Sequence, residues 1–279
     1  MDDAHQARAE LLQLADNSAM AEDQSIAARA EILERILGRD VCRRVGIFAL
    51  PEDFTLSVVI PVYNEVGTVQ EVIRRVRATR LPCEMVVVDD GSTDGVRELL
   101  QELAADKDIQ VVFHDRNQGK GAALRSGFLH ARGDVVVVQD ADMEYDPEDF
   151  WLLLQPIIED TADVVFGSRF SGPACQVAPL WHLAANQLIT KLFSFSKGRR
   201  FTDVETCYKM FRRELIQQIA PTLREKGFGI EIELTAKMLR VPRVRFSERP
   251  IQYVRRSYDE GKKIGWRDGI WALWCILRY

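Results

Sequence analysis

The stretch VVVVQDADMEYDP, residues 135–147, places four valines directly before a run of acids. A short apolar run of β-branched residues is typical of a strand buried on both faces of a parallel sheet. Asp140, Asp142, Glu144 and Asp146 follow at every second position, and Pro147 suits the first turn of a helix. This segment therefore predicts a buried strand that ends in an acidic loop before a helix.

The same alternation of strand and helix extends on both sides of this segment. The strand patterns LSVVIPV, EMVVVDD, IQVVFH, DVVVVQD and DVVFGSR are separated by helical patterns over residues 56–169. They predict an α/β fold, with a mostly parallel central sheet and helices on both faces. Ligands bind such sheets beyond the carboxyl ends of the strands, which here carry Asp90, Asp140 and Arg169.

The remaining sequence divides around this α/β region. We predict an N-terminal helical extension at residues 1–54, a main domain at 55–264 and a C-terminal amphipathic helix at 265–279. After residue 170 the patterns predict a helix at 180–195, a strand in TCYKMFRR, a helix at 230–239 and strand-like RVRFSERPIQYVRR.

Composition excludes several classes of protein. The chain has 279 residues, 47% of them hydrophobic, which is enough for a substantial core. Its five cysteines are scattered without a C-x-x-C pair, so we expect neither a disulfide framework nor a zinc site, and a reducing cytosol suits them. No signal-peptide pattern begins the chain, and no apolar run reaches the ~20 residues of a membrane helix, so we expect a soluble or peripheral protein.

Charge is unevenly distributed along the chain. Residues 237–279 carry 11 Lys and Arg against 4 Asp and Glu, although the whole chain has a net charge of -5. A basic tail on an acidic protein indicates an anionic partner. We expect no nucleic-acid partner.

Three interpretations compete for the acids after residue 138. A calcium loop fails, because its sixth position should be Gly and is Tyr145, and its twelfth should be Glu and is Trp151. A helix cap explains Asp146 and leaves the others unexplained. A D-x-D motif at Asp140 and Asp142 would bind a nucleotide diphosphate together with Mg²⁺ or Mn²⁺.

Further motifs support the D-x-D interpretation. PVYNE at residues 61–65 closes the first strand, and VVVDDGSTD at 86–94 closes the second. With QDAD, GSR and RRSYDEGKK in this order, residues 56–267 resemble glycosyltransferase family 2, and within it the dolichyl- and polyprenyl-phosphate sugar transferases. The resemblance implies a GT-A fold and an inverting, metal-dependent transfer of a hexose. The donor would be a UDP- or GDP-sugar and the acceptor a polyprenyl or dolichyl phosphate.

The resemblance also implies which residues bind the donor. The implied nucleotide-sugar contacts are Pro61, Tyr63, Glu65, Val88, Asp90, Lys120, Asp140, Ala141 and Asp142. The metal would be held by Asp140 and Asp142, with Glu144 as an additional acid where relatives commonly have Gln. Lys120 lies in NQGKGAALRSG, which is not a Walker A motif; it is either a phosphate contact or a solvated lysine at a helix start.

Catalytic residues follow from two further motifs. The resemblance implies that Arg169 matches a family arginine near the transferred phosphates. It also implies that Arg256 and Lys262 fit the R-x-Y-x-E-x-K pattern of the lipid-phosphate transferases and would stabilise phosphate oxygens, with a basic solvated loop as the alternative. A hydroxyl acceptor would need a base, for which Asp203, Glu231 and Glu233 are the candidates. A phosphate acceptor is already anionic, so positioning and charge neutralisation could suffice.

Three alternatives remain open at this stage. The final helix carries Trp266, Trp271 and Trp274 beside basic residues, which suits either a membrane surface or a core or homo-oligomer contact. Transfer to a saccharide or small-molecule hydroxyl competes with transfer to a lipid phosphate, and a non-catalytic nucleotide-sugar-binding protein is the third hypothesis. We expect a cytoplasmic protein, either free or peripheral on the cytoplasmic face of a membrane.

Overall fold

A computed structural model describes residue 33 and residues 35–38, 41–42, 46–171, 180–254 and 266–279, with side chains at 180–183 and 266–268 excepted. The chain divides into two compact units, Met1–Phe54 and Thr55–Tyr279. In the first unit, Leu33, Cys42 and Ile47 form a small buried cluster with Leu37 and Ala49 packed against it.

The second unit is built on a seven-stranded sheet. Its strands are β1 (Leu56–Val62), β2 (Cys83–Asp89), β3 (Ile109–Phe113), β4 (Val135–Val138), β5 (Val164–Ser168), β6 (Lys209–Arg212) and β7 (Phe246–Pro250). Their order is β3-β2-β1-β4-β6-β5-β7. Neighbours are parallel except at β6, which is antiparallel to both β4 and β5. The predicted mostly parallel sheet is thus confirmed.

Eight labelled helices belong to the described part of this unit. They are α1 (Val69–Ala78), α2 (Val96–Leu103), α3 (Lys120–His130), α4 (Phe150–Ile158), α5 (Leu180–Lys197), α6 (Arg213–Ile219), α7 (Ile230–Met238) and α8 (Trp266–Arg278). Short 3-10 turns at Pro147–Asp149 and Ala220–Thr222 precede α4 and follow α6. The sequence patterns predicted each of these helices except α6.

Both faces of the sheet are covered by helices. On one face, Val59, Val86 and Val138 join a large core cluster with Phe128 of α3 and Leu234 of α7. Side chains alternate along a strand, so neighbouring buried positions of β1 and β2 point to the opposite face. Helices α1, α2 and α4 cover this opposite face, and none of their residues belongs to the core cluster described above.

The direction of β6 decides which loops meet. Because β6 is antiparallel to β4 and β5, its amino end lies at the same edge as their carboxyl ends. The loop at residues 198–208, which leads into β6, therefore joins the loops after β1, β2, β4 and β5 at one edge of the sheet.

Candidate active site

The loops after β1 and β2 are linked into one unit. Asn64, held in a left-handed conformation with φ 52°, donates its N–H to Ser92 Oγ at 3.0 Å and accepts the Thr93 N–H at 2.8 Å. Asp94 Oδ2 accepts the Val66 N–H at 2.9 Å. These contacts hold the PVYNE and DDGSTD motifs side by side.

The predicted donor residues of these two strands are adjacent. Pro61 of β1 pairs in register with Val88 of β2. The Val88 side chain is fully buried in the core, so a contact from this residue to a nucleotide base would come from its backbone. Glu65 Oε2 accepts the Thr68 hydroxyl at 3.1 Å, and Tyr63 lies two residues earlier in the same loop.

Asp90 is buried and holds the loop before α3. Its Oδ1 accepts the Gln118 N–H at 2.9 Å and lies 2.7 Å from His114 Nδ1, while Oδ2 accepts the Gly119 N–H at 2.7 Å. Gly119 has φ +95°, and a Cβ there would stand 2.3 Å from the Lys226 carbonyl oxygen, so glycine is required. Asp90 thereby positions Lys120, which follows Gly119. The predicted contact of Asp90 with the nucleotide sugar stays a prediction.

Lys120 points into the acidic loop rather than into solvent. Its ammonium lies 2.8 and 3.0 Å from the two carboxylate oxygens of Asp140, 2.9 Å from Cys207 Sγ and 3.8 Å from Glu231 Oε1. Burial lowers the pKa of Lys120, but its neighbours, with the Asp140 carboxylate the largest cause, outweigh burial and hold that pKa well above its usual value. The structure therefore excludes the solvated-lysine alternative and places a permanent cation at the D-x-D motif.

The D-x-D loop is held in place from several directions. Thr68 donates its hydroxyl to the Ala141 carbonyl at 2.6 Å, which ties this loop to the one after β1. Asp142 Oδ1 accepts the Glu144 N–H at 3.1 Å. Asp146 Oδ1 accepts the Glu148 N–H at 3.1 Å, so the predicted helix cap at Asp146 is confirmed.

The carboxylate oxygens at this loop suit a divalent ion that a bound phosphate also coordinates. Carboxylate oxygens of Asp140 and Asp142 are the hard ligands that Mg²⁺ and Mn²⁺ prefer. Among the described residues, no group of three or more His, Cys, Asp and Glu is arranged to hold a metal by itself. Phosphate oxygens and water would therefore complete the coordination, as is usual for Mg²⁺ at nucleotide sites.

Glu144 connects the D-x-D loop with the segment after β7. Its Oε2 accepts the Tyr253 hydroxyl at 2.8 Å, and its carbonyl accepts the Val254 N–H at 2.8 Å. The rings of Tyr145 and Tyr253 lie 5.2 Å apart. Metal binding by Glu144 stays a prediction, while its contact with Tyr253 is a role that the sequence did not indicate. The predicted Arg256 and Lys262 lie outside the described residues.

Arg169 and Asp203 form a buried ion pair at the end of β5. Arg169 Nε and Nη2 donate to the two oxygens of Asp203 at 2.7 and 2.8 Å, and its backbone N–H donates to Oδ2 at 3.1 Å. Asp203 is fully buried, and the Arg169 side chain is 12% exposed. Despite burial, which lowers it, the pKa of Arg169 is held well above its usual value, with Asp203 the largest opposing cause. The structure thus brings these two predicted residues together, and Asp203 fixes the guanidinium.

The other two base candidates are also paired. Glu231 accepts a hydrogen bond from the fully buried Lys209 ammonium, which also donates to the Val204 carbonyl at 3.0 Å. Glu233 is fully buried, 2.7 Å from Lys237 Nζ, and accepts backbone N–H groups at residues 224 and 225. Both carboxylates hold the fold around the site.

Glu205 is the residue that sequence reasoning missed. It lies in the loop before β6, partly exposed, between Asp203 and Cys207. Burial raises the pKa of Glu205 to about 7. The sequence shows Glu205 in TDVETC, residues 202–207, directly before a strand pattern. Only the antiparallel direction of β6 brings this loop to the edge of the sheet where the site lies.

Comparison with known sequences identifies a family and several relatives. The sequence model of glycosyl transferase family 2 matches residues 57–220. The chain is 31% identical over 189 residues to glycosyltransferase AglJ of Haloferax volcanii, covering 67% of this chain and 59% of that one. It is 30% identical over 219 residues to undecaprenyl-phosphate mannosyltransferase of Micrococcus luteus, covering 74% of this chain and 86% of that one.

Solved structures agree on the fold. Glucosyl-3-phosphoglycerate synthase from Mycobacterium tuberculosis, crystallised with Mn²⁺, UDP and phosphoglyceric acid, superposes with a TM-score of 0.60 at 20% identity, covering 92% of this chain and 84% of that one. The fold is therefore the GT-A fold. The match of the family's sequence model over residues 57–220 shows that the chain belongs to glycosyl transferase family 2.

Proposed function

We propose that this glycosyltransferase moves a hexose from a UDP- or GDP-sugar to a polyprenyl phosphate, with inversion at the anomeric carbon and with Mg²⁺ or Mn²⁺. The observation that carries the proposal is the meeting of Lys120 with the D-x-D acid Asp140 at the sheet edge, 2.8 Å apart. A fixed cation beside metal-binding carboxylates suits a diphosphate. The Micrococcus luteus relative, by its name a mannosyltransferase that uses undecaprenyl phosphate, supports the acceptor.

In this proposal each residue of the site has a separate role in the transfer. An acceptor phosphate oxygen attacks the anomeric carbon from the face opposite the diphosphate, the carbon–oxygen bond to the diphosphate breaks, and its electron pair leaves with that group. Lys120 stabilises the charge that develops on the leaving diphosphate. The metal, when bound by Asp140 and Asp142, supplies further positive charge there. Arg169, held by Asp203, offers a fork of N–H donors to phosphate oxygens.

The pairing of the three base candidates from the sequence suits a phosphate acceptor, and Glu205, whose pKa burial raises to about 7, is the nearby carboxyl that transfer to a hydroxyl would have to use. A hydroxyl must lose a proton as it attacks, whereas a phosphate dianion need not. Asp203, Glu231 and Glu233 are each engaged with a cation, at Arg169, Lys209 and Lys237 respectively. A carboxylate that neutralises a buried cation is a poor proton acceptor, because protonation would leave that cation unpaired.

Transfer assays test this proposal directly. The full chain is incubated with UDP- or GDP-sugars, Mg²⁺ or Mn²⁺, and a short-chain polyprenyl phosphate, and the lipid product is analysed by mass spectrometry. We expect a glycolipid that needs both the metal and the lipid phosphate. Equal transfer to the corresponding polyprenol, or to a sugar hydroxyl, would refute the phosphate acceptor.

We also propose that α5 and α8 rest on an anionic membrane surface. The two helices pack together. Their outer sides expose Leu192 and Phe195 on α5 and Trp271, Trp274 and Leu277 on α8, with Phe195 90% and Leu277 88% exposed. Exposed basic residues on or near these helices are Lys191, Arg199, Arg200 and Arg278. No helix in the described part of the chain could span a bilayer.

Vesicle sedimentation tests this surface. We expect binding to phosphatidylglycerol vesicles to exceed binding to phosphatidylcholine vesicles, because basic residues near the apolar patch attract anionic lipid. Replacing Phe195 and Leu277 together by Ser should weaken binding. Leu129, an exposed leucine on α3, provides the matched control as Leu129→Ser. Equal loss in that control variant would show that the patch is not the binding surface.

A further inference from the structure

Glu205 occupies a place that the proposed mechanism does not use. It lies two residues from Asp203, which holds Arg169, and two residues from Cys207, whose sulfur accepts a hydrogen bond from Lys120 at 2.9 Å. Because consecutive Cα atoms are ~3.8 Å apart, the Glu205 Cα lies within about 7 Å of both neighbours. Glu205 therefore stands between the anchors of the two cations that are proposed to bind phosphates.

Hydrogen bonds from buried side chains hold the backbone on both sides of Glu205. The buried Lys209 ammonium donates to the Val204 carbonyl at 3.0 Å and to the Thr206 carbonyl. The Cys207 N–H is bound to the Tyr145 hydroxyl at 3.2 Å. A loop held at Val204, Thr206 and Cys207 presents the Glu205 side chain in a defined place, which a binding site requires.

The Glu205 carboxyl itself is not engaged. Within the described part of the chain it has no hydrogen bond and no ion pair, although it is partly exposed at the site edge. Burial raises its pKa to about 7, Arg169 lowers it and Asp203 raises it. Lys209 on β6 and Glu231 on α7 also act on it, the first lowering and the second raising that pKa.

Charge restricts what this carboxyl can bind. A phosphate placed against Glu205 would meet a like charge, which disfavours both groups. The part of a nucleotide sugar that carries no charge is the sugar, and its hydroxyl groups are donors suited to a carboxylate. The sugar is also attached to the diphosphate that Lys120 and the D-x-D motif would hold.

We infer that Glu205 accepts hydrogen bonds from hydroxyl groups of the transferred hexose and so helps to select the donor by its sugar. This inference rests on the proposed nucleotide-sugar donor. Phosphate groups are then held on either side of Glu205, by Lys120 and by Arg169, with the neutral sugar between them.

Calorimetry on the full chain with Mn²⁺ separates the sugar from the nucleotide. The probes are UDP-glucose against UDP and GDP-mannose against GDP, at pH 7. Glu205→Gln should weaken binding of the nucleotide sugar by about 10- to 100-fold, which is the effect of losing charged hydrogen bonds. The affinity for the nucleoside diphosphate should change by no more than about twofold. Glu214→Gln, at an exposed position on α6, is the matched control and should change neither affinity.

Proton release gives a second readout. At pH 7 about half of the Glu205 carboxyls carry a proton, since the pKa is about 7. Hydroxyl donors favour the charged form, so binding of the nucleotide sugar should release up to about half a proton per site. Proton release that is present in the wild type and lost in Glu205→Gln should accompany binding of the nucleotide sugar; with the nucleoside diphosphate, whose terminal phosphate itself releases protons near pH 7, the two proteins should not differ. Binding enthalpies measured in two buffers of different ionisation enthalpy give the number of protons released per site.

The outcomes distinguish this inference from the proposed function. If the wild type binds a nucleotide sugar and Glu205→Gln binds it equally well, the inference alone is overturned. The same holds if Glu205→Gln weakens UDP or GDP as much as the sugar nucleotide, because Glu205 then acts through the phosphate site. Lost turnover with unchanged donor affinity would make Glu205 a proton acceptor and overturn the inference. Failure of the wild type to bind any nucleotide sugar overturns the donor proposal, and this inference with it.

Discussion

The buried pair of Arg169 and Asp203 allows a double-mutant cycle with a distinctive result. Removing one partner from such a pair costs about 3–5 kcal/mol, because the remaining charge stays buried and unpaired. We therefore expect Arg169→Met and Asp203→Leu each to lower the free energy of unfolding by about that amount. The double variant leaves no charge, but the Arg169 backbone N–H loses the acceptor that it has at 3.1 Å, which costs about 1–3 kcal/mol.

Urea unfolding at pH 7.5 without ligand measures all four corners of this cycle. The double variant should be several kcal/mol more stable than the sum of the two single effects predicts. Turnover should nevertheless fall by about 100-fold or more in all three variants, because each removes or misplaces a phosphate-binding guanidinium. Additive stability losses, or a single substitution that costs less than about 1 kcal/mol, would refute the buried-pair argument.

Three further predictions concern residues that support the site. Burial raises the pKa of fully buried Asp149 from 3.8 to about 7, so its contribution to stability is lost as pH rises from about 4 to 7; Asp149→Asn should remove that contribution and, by urea unfolding, stabilise the protein at pH 8 by up to about 4 kcal/mol, and equal effects at pH 5 and pH 8 would contradict the shift. Gly91→Ala should cost about 2 kcal/mol or more in thermal unfolding, because Gly91 has φ +71° and the new Cβ would stand 2.5 Å from the Arg116 carbonyl carbon; an unchanged melting temperature would argue against this packing. Tyr253→Phe should cost about 1 kcal/mol in urea unfolding by removing the hydrogen bond to Glu144 while keeping the ring, and Tyr253→Ala should cost more; an unchanged stability in Tyr253→Phe would argue against the hydrogen bond, and equal losses in the two variants would assign the whole effect to the hydroxyl.

Much of the fold could be predicted because each strand carries its own signal. A buried parallel strand is a continuous apolar run, and the runs at β1, β2, β4 and β5 are separated by helical patterns. Helix α6 was missed because it has only seven residues and ends at a 3-10 turn that contains Pro221. Its apolar residues Leu215, Ile216 and Ile219 fill too few turns to establish a helical period.

Strand patterns predicted the part of the candidate site that lies on parallel strands, whereas in the loop before β6 only Asp203 was predicted, from its motif. The carboxyl ends of parallel strands gave Asp90, Asp140 and Arg169, and the structure places all three at the same edge. An apolar strand pattern reads the same in both directions, so the sequence did not show that β6 runs antiparallel. The loop before β6, with Glu205, could therefore not be assigned to the site by pattern alone.

Side-chain pairing was also beyond the sequence, and it changes how the site is understood. Asp203 was a base candidate by motif, yet its geometry makes it the anchor of Arg169. Lys120 is likewise held by Asp140. Such pairing keeps each cation desolvated and oriented, so little reorganisation is needed when charge develops on a phosphate.

This arrangement has a consequence for donor binding. A diphosphate that approaches Lys120 competes with Asp140, whose carboxylate already neutralises the Lys120 ammonium at 2.8 Å. The binding free energy gained from the diphosphate contact is reduced by the loss of this ion pair. A divalent cation on Asp140 and Asp142 would remove that competition, because Asp140 would then neutralise the metal and Lys120 would be available to the phosphate. Metal and nucleotide should therefore bind cooperatively: Lys120→Met should weaken nucleotide binding in the presence of Mn²⁺ while leaving Mn²⁺ binding alone unchanged or tighter. A variant that loses Mn²⁺ binding together with nucleotide binding would show that Lys120 supports the acidic loop instead of opposing the metal.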